Sequence, residues 1–133
     1  MDNLYKNSIR EQLKQLQEDL FEIQTMLSDQ GYLSNIAYRA AERNLQLLVE
    51  ACIGIAKQTL KGQGLEVPSD ARQSFAKLKS LGLDPTDIPW TKVVGMRNAL
   101  VHDYLNLDPE RINEVILNGH YLKLFEFAFN IVD

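Results

Sequence analysis

The chain has one cysteine and no long apolar segment, and these two absences exclude whole classes of protein. Cys52 has no partner for an intramolecular disulfide and lies in the apolar run 51–55, so we predict a small, inert core residue. No segment approaches the roughly 18 apolar residues that span a bilayer. The first residues, from Met1 to Lys6, also lack the apolar stretch of a secretory signal. We therefore expect a cytoplasmic protein that neither crosses a membrane nor depends on disulfides.

The chain also lacks an excess of positive charge. It has 14 basic and 18 acidic residues and a net charge of −4, which argues against a protein that coats nucleic acid non-specifically. Residues 30–83 differ from the rest, with seven basic against four acidic residues. The middle of the chain is thus the only region with a basic surplus.

Several familiar kinds of site are missing from the sequence. The glycines occur singly, so there is no glycine-rich phosphate loop. The two histidines, His102 and His120, are far apart, and no His-x-x-x-His or cysteine pair has the spacing of metal ligands. A di-iron site would need carboxylate–histidine motifs on several helices. We expect no bound metal, and we assign His120, which has no chemical neighbour in the sequence, a structural role.

Apolar residues recur at steps of three and four, which predicts helices, and no segment shows the sustained alternation of a strand. Gly31 follows the first predicted helix, Ser34 caps the second, and Asp108-Pro109 starts the last. The predicted helices cover about residues 3–30, 35–61 and 70–81, and a fourth runs from Pro89 towards Tyr104. The last helix is capped by Asp108 and carries apolar residues from Ile112 to Phe129. Three side chains of the third helix are expected to face inward (Phe75, Leu78 and Leu81), and Trp90 is expected to anchor the core or an interface. This pattern predicts an all-α antiparallel bundle of four to five amphipathic helices, a single domain over residues 1–133.

The segment from Arg97 to Tyr104 carries the chemistry that the rest of the chain lacks. Arginine keeps its charge at physiological pH and presents a planar fork of donors that suits phosphate. Histidine titrates near neutrality, so His102 is able to take or give a proton during a reaction. A phosphate clamp beside a proton shuttle is the minimum needed to cleave RNA without a metal.

Helical geometry limits how these two groups meet. Five residues of α-helix turn through about 500°, so the side chains of Arg97 and His102 point about 140° apart. Asn98 and His102 share a face, as do Arg97 and Tyr104. Either the helix deforms near its end, or a two-fold axis brings a second copy of the motif alongside. A symmetric dimer is the simpler solution, because an isologous contact juxtaposes the same residues of both chains.

The segment Arg97-Asn98-Ala99-Leu100-Val101-His102 resembles the motif of the HEPN superfamily of ribonucleases, which is an arginine, often followed by a polar residue, then a short spacer and a histidine. The extension His102-Asp103-Tyr104 is similar to the HepT group, the toxins of HEPN/minimal nucleotidyltransferase toxin–antitoxin modules. The stretch 37–46 (AYRAAERNLQ) also resembles that group. The length, the helical pattern and the late position of the motif agree, so the resemblance spans most of the chain.

The resemblance implies a HEPN-like homodimer that cleaves RNA without a metal or cofactor at paired sites on the subunit interface. Arg97, Asn98 and His102 are the catalytic residues that it implies. Attack by the ribose 2′-hydroxyl would leave a 2′,3′-cyclic phosphate and spare DNA. The resemblance also implies a cognate minimal nucleotidyltransferase antitoxin, which uses ATP and Mg²⁺ to transfer AMP to Tyr104.

Other readings of the same residues remain open. Arg39 and Arg43, one turn apart, are interpreted as surface charges with Glu42 as a local partner, and a secondary RNA or antitoxin contact is the functional alternative. A non-catalytic HEPN module would bind nucleotide or its nucleotidyltransferase partner, with Arg97 merely holding phosphate. A purely structural helical dimer is the third interpretation. His102 favours the enzyme, because an anion-binding site has no use for a base that titrates near neutral pH.

Overall fold

The structure is a computed structural model that describes the backbone of residues 1–133 and every side chain except that of Tyr104. Its regular elements are helices, and the described residues form no strand. The helices are α1 (Asn3–Gln30), α2 (Asn35–Gly62), α3 (Ala71–Ser80), α4 (Trp90–His102), α5 (Pro109–Leu117) and α6 (Leu122–Val132), with a 3₁₀ turn at Tyr104–Asn106. The predicted all-α bundle is thus confirmed.

α1 and α2 form a long antiparallel hairpin, and local signals set its turn. Asp2 and Ser34 cap the two helices by accepting hydrogen bonds from the backbone N–H groups of Leu4 and Ala37. Gly31 ends α1 with a φ of 80°, a left-handed conformation that favours glycine. Both predicted ends of α1 and the predicted start of α2 are confirmed. The buried stripe of α1 consists of Ile9, Leu13, Leu16, Leu20, Ile23 and Leu27.

The prediction of a single last helix, capped by Asp108 and carrying apolar residues as far as Phe129, is wrong, because the chain breaks there into α5 and α6. Asp108 caps α5 and Pro109 occupies its first turn, as predicted. Gly119 then adopts a φ of 70° and turns the chain before α6 begins. A continuous apolar periodicity concealed this turn, since both helices direct apolar residues into the same core.

The third helix also differs in detail from its prediction. Asp70 caps it from outside by accepting from the backbone N–H of Gln73, so α3 begins one residue later than predicted. Phe75 and Leu78 are buried as expected, but Leu81 is 46% exposed. Leu81 follows the last residue of α3 and therefore leaves the helical register that would turn it inward.

All six helices contribute to one apolar core. Cys52 lies at its centre, fully buried, with its thiol donating to the carbonyl oxygen of Leu124 at 3.7 Å. Burial raises the pKa of this thiol, which confirms the prediction of an inert core cysteine. In the part of the chain that the structure describes, no helix is both long and apolar enough to cross a membrane.

Candidate active site

The start of α4, the helix that carries the motif, is held by Trp90. The Trp90 ring stacks on Phe75 of α3, with centroids 3.8 Å apart and planes at 3°, and meets the edge of Phe127 of α6 at 4.8 Å. Its indole N–H donates to Oδ2 of buried Asp84 at 2.8 Å, while Oδ1 of Asp84 accepts from Thr86. Trp90 therefore anchors the core, one of the two roles predicted for it, and it sets the rotation of α4 about its axis.

That rotation turns Arg97 towards the interior of the bundle. Arg97 lies seven residues after Trp90 and hence on the same side of α4. Its side chain is half-buried, and its Nε is fully buried with no hydrogen-bond partner among the described atoms. No described carboxylate forms an ion pair with it. A buried N–H group without an acceptor is unfavourable, because this donor is desolvated without compensation.

His102 is the last residue of α4, and its side chain is exposed. α4 is continuous from Trp90 to His102, so the deformed helix considered above is not what the structure shows. The structure therefore separates Arg97 and His102 around the helix axis instead of bringing them together. Asn98, which is half-buried, lies on the His102 side of α4.

Two aspartates, Asp103 and Asp108, form hydrogen bonds on either side of the turn that follows α4. Asp103 closes α4 by donating its backbone N–H to the carbonyl of Ala99, and its side chain accepts from the Asn106 amide at 2.6 Å. Asp108 then caps α5 by accepting from the backbone N–H of Glu110. The AMP acceptor predicted at Tyr104 lies in the 3₁₀ turn between them, and its side chain lies outside the described residues.

The segment of α2 that resembles the HepT group packs near this turn. Tyr38 is half-buried against the core, and burial together with the carboxylates of Glu42 and Asp108 raises its pKa to about 12. The charge of Asp108, the N-cap residue of α5, thus acts on a side chain of α2. Arg39 and Arg43 on the same helix are exposed, which confirms them as surface residues, but neither forms an ion pair with Glu42 among the described side chains. Their contact with RNA or antitoxin stays a prediction.

Arg72 of α3 lies against α4, and the sequence pattern did not single it out. Its Nε and Nη2 donate to the carbonyl oxygen of Thr91 at 3.4 and 3.3 Å. Its Nη2 also lies 3.3 Å from the position that a Cβ would take at Gly95, so the glycine leaves room for the guanidinium. Gly95 was the one signal in the sequence, because glycine destabilises a helix interior and its presence there calls for a packing reason.

The motif lies on an open surface. Two shallow grooves of about 300 and 460 Å³ occur elsewhere, one beside Phe21 and Leu122 and the other beside Pro85 and Lys123. Val101 and Leu105, the apolar neighbours of the motif, are 38% and 82% exposed. Among the described residues no three His, Cys, Asp or Glu side chains converge as metal ligands.

Comparison with known proteins identifies the family. The family described as "Ribonuclease HepT-like" matches residues 9–131. A relative named "mRNA nuclease HepT", from Shewanella oneidensis (strain MR-1), is 36% identical over 91 residues, which are 67% of this chain and 67% of the relative. A chain in a solved structure described as "Crystal structure of the toxin-antitoxin with AMP-PNP" is similar with a TM-score of 0.77 at 27% identity, over 100% of both chains. The family match includes the whole segment from Arg97 to Tyr104, and the chain belongs to the ribonuclease HepT-like family.

Proposed function

We propose that the protein is the toxin of a toxin–antitoxin system and acts as a metal-independent RNA endonuclease. The observation that carries the proposal is the half-buried Arg97, whose Nε has no partner among the described atoms, in the same helix as an exposed histidine and in a chain of the ribonuclease HepT-like family. The relative named an mRNA nuclease and the similar chain from a toxin–antitoxin structure support the substrate class and the biological context.

The proposed reaction is a transesterification within the RNA. The ribose 2′-oxygen attacks the adjacent phosphorus, the bond from phosphorus to the 5′-oxygen breaks, and a 2′,3′-cyclic phosphate remains. His102 removes the proton of the 2′-hydroxyl or gives a proton to the leaving 5′-oxygen, a contribution typically of about 10²–10⁴-fold. Arg97 holds the scissile phosphate and stabilises the charge that builds on it, and Asn98 orients the phosphate or the imidazole.

A second copy of the chain completes the site in this proposal. Arg97 and His102 face different sides of one continuous helix, so a single chain does not present both to one phosphate. A two-fold contact across the motif surface would set Arg97 of one chain beside His102 of the other. The exposed side chains of Val101 and Leu105 flank His102 and supply apolar area for such a contact.

The proposed antitoxin is a minimal nucleotidyltransferase that uses ATP and Mg²⁺ to attach AMP to Tyr104. The hydroxyl oxygen of Tyr104 attacks the α-phosphorus of ATP, pyrophosphate leaves, and the phenolic proton is lost. The attached AMP places a bulky base and a negative charge near the motif, which would oppose an incoming RNA phosphate by occupancy and repulsion. The AMP-PNP in the similar toxin–antitoxin structure supports a partner that handles ATP.

The decisive experiment incubates purified protein with single-stranded RNA in EDTA and maps the ends of the products. We expect cleavage without added metal, cyclic phosphate ends, and no cleavage at a residue whose 2′-hydroxyl is replaced by hydrogen. His102→Ala should abolish cleavage, and His120→Ala, which removes the other exposed histidine, is the matched control and should retain it. A strict requirement for Mg²⁺, or full activity in His102→Ala, would refute the scheme. Binding of RNA or nucleotide through Arg97 with no cleavage at all would instead support a non-catalytic module.

A further inference from the structure

The face of α4 that contains Asn98 and His102 also contacts Arg72 of α3. Thr91, Gly95, Asn98 and His102 follow one another at steps of four, three and four residues, so they lie within about 60° of one another around the helix. The guanidinium of Arg72 fills the Gly95 position of this face. Because helical side chains lean towards the N-terminus, Asn98 leans towards the turn that Arg72 occupies.

The direction of α3 puts Arg72 at the end closest to the motif. Lys79 of α3 donates to the carbonyl of Thr86, Phe75 stacks on Trp90, and Arg72 reaches Thr91. α3 therefore runs antiparallel to the chain that leads into α4. Lys79 lies about 10 Å of helix rise farther from the motif than Arg72 does.

The cations around α3 bind backbone carbonyl groups. Four cations, one near the end of α2 and three on α3, donate to backbone carbonyl groups and not to carboxylates. The donor–acceptor distances are 2.9 Å for Lys57, 3.3 Å for Arg72, 2.6 Å for Lys77 and 3.3 Å for Lys79. No described carboxylate forms an ion pair with any of them. Of these four cations, Arg72 contacts α4, the helix that carries the motif.

We propose that Arg72 binds the RNA backbone phosphate that flanks the scissile one, so that the strand runs along the face from His102 past Asn98 to Arg72. This inference rests on the proposed ribonuclease function for its ligand. Two long hydrogen bonds to the Thr91 carbonyl oxygen, at 3.4 and 3.3 Å, orient the guanidinium, while its Nη1 donates to no described group. Gly95 is the positioning residue, because a Cβ at that site would displace Nη2.

The test measures the affinity of the His102→Ala protein for a short fluorescent single-stranded RNA over a range of salt concentrations. Arg72→Gln keeps an amide that reaches Thr91 but removes the charge. We expect it to weaken binding about tenfold and to reduce the slope of log affinity against log salt by about 0.7, the value for one lost phosphate contact on a single strand. Arg72→Lys should restore the slope, since it restores the charge. Lys79→Gln, the matched control on the same helix, should keep the affinity and slope of the parent protein.

Equal slopes for Arg72→Gln and its parent would overturn the inference. So would an equal loss in Lys79→Gln, because the effect would then be diffuse charge and not a contact at Arg72. A loss of antitoxin affinity with unchanged RNA affinity would overturn it too, by placing Arg72 in a protein interface. Cleavage by the wild-type protein is scored separately. If that protein binds RNA but does not cleave it, the ribonuclease function fails while the salt slope still decides the phosphate contact.

Discussion

Arg97 and His102 lie five residues apart in one continuous helix, yet Nε of Arg97 is buried without a partner among the described atoms while His102 is exposed to solvent. The two side chains differ in the packing that surrounds them. Arg97 follows Trp90 on the side of α4 that packs into the bundle, so the aromatic cluster of Trp90, Phe75 and Phe127 fixes its direction. His102 ends the helix and is free of that packing. One chain therefore does not place these two side chains on the same side of α4.

Arg97 should lower the stability of the free protein. We expect Arg97→Met to raise the free energy of unfolding by about 1 kcal/mol, because it replaces a guanidinium whose buried Nε has no partner among the described atoms by an apolar side chain of similar length. The same variant should lose RNA cleavage. Denaturant titration measures the stability, with Arg39→Met as the control at an exposed arginine. A lower stability for Arg97→Met would mean that the guanidinium has a stabilising partner in the free chain.

Mixed dimers should show whether the site spans two chains. Arg97→Ala and His102→Ala proteins are each expected to be inactive. If Arg97 of one chain works with His102 of the other, an equal mixture regains about a quarter of the wild-type activity, since half of the dimers are mixed and each contains one intact site. The measurement is RNA cleavage after the two variants have been co-refolded. No recovery, with exchange of subunits verified by mass, would place both groups in one chain.

Tyr104 should be the acceptor of AMP. Incubation with the cognate nucleotidyltransferase, ATP and Mg²⁺ should increase the mass of the protein by AMP groups and abolish cleavage. Tyr104→Phe should gain no mass and should remain active in the presence of antitoxin, provided that the antitoxin does not also inhibit by binding. Tyr32→Phe, at an exposed tyrosine outside the motif, is the control and should be modified like the wild type. The same mass increase in Tyr104→Phe would assign the modification to another residue.

Tyr38 should make the protein sensitive to alkali. Its pKa rises from 10.0 to about 12 on folding, first through burial and then through Glu42 and Asp108. The unfolded chain therefore loses this proton first, so the contribution of Tyr38 to stability is complete below pH 10 and is lost as the pH rises towards 12. Tyr38→Phe should show a smaller fall of the free energy of unfolding over that range than the wild type. Parallel pH curves would show that the phenol is equally acidic in both states.

Local sequence signals predicted the ends of most helices, because caps and left-handed glycines act within a few residues. Ser34, Asp108 and Gly31 each lie where the structure uses them. Gly119 was the exception among such signals, since its turn separates two helices that share one apolar periodicity. The predicted inward orientation of Leu81 was wrong for a related reason. The helix ends just before Leu81, so the exposure of this side chain depends on the path of the following loop.

For the candidate site too, some features follow from the sequence alone and others only from the tertiary structure. The sequence by itself determined the family, the helical class and the rotation of about 140° between Arg97 and His102, because helix geometry depends only on spacing. The tertiary structure alone decided which of the two faces the interior, because that follows from the packing of Trp90 on α3 and α6. It alone also placed Arg72 over Gly95, a contact between residues 23 positions apart in the chain. Spacing fixes directions around a helix, but only packing against other helices says what lies in each direction.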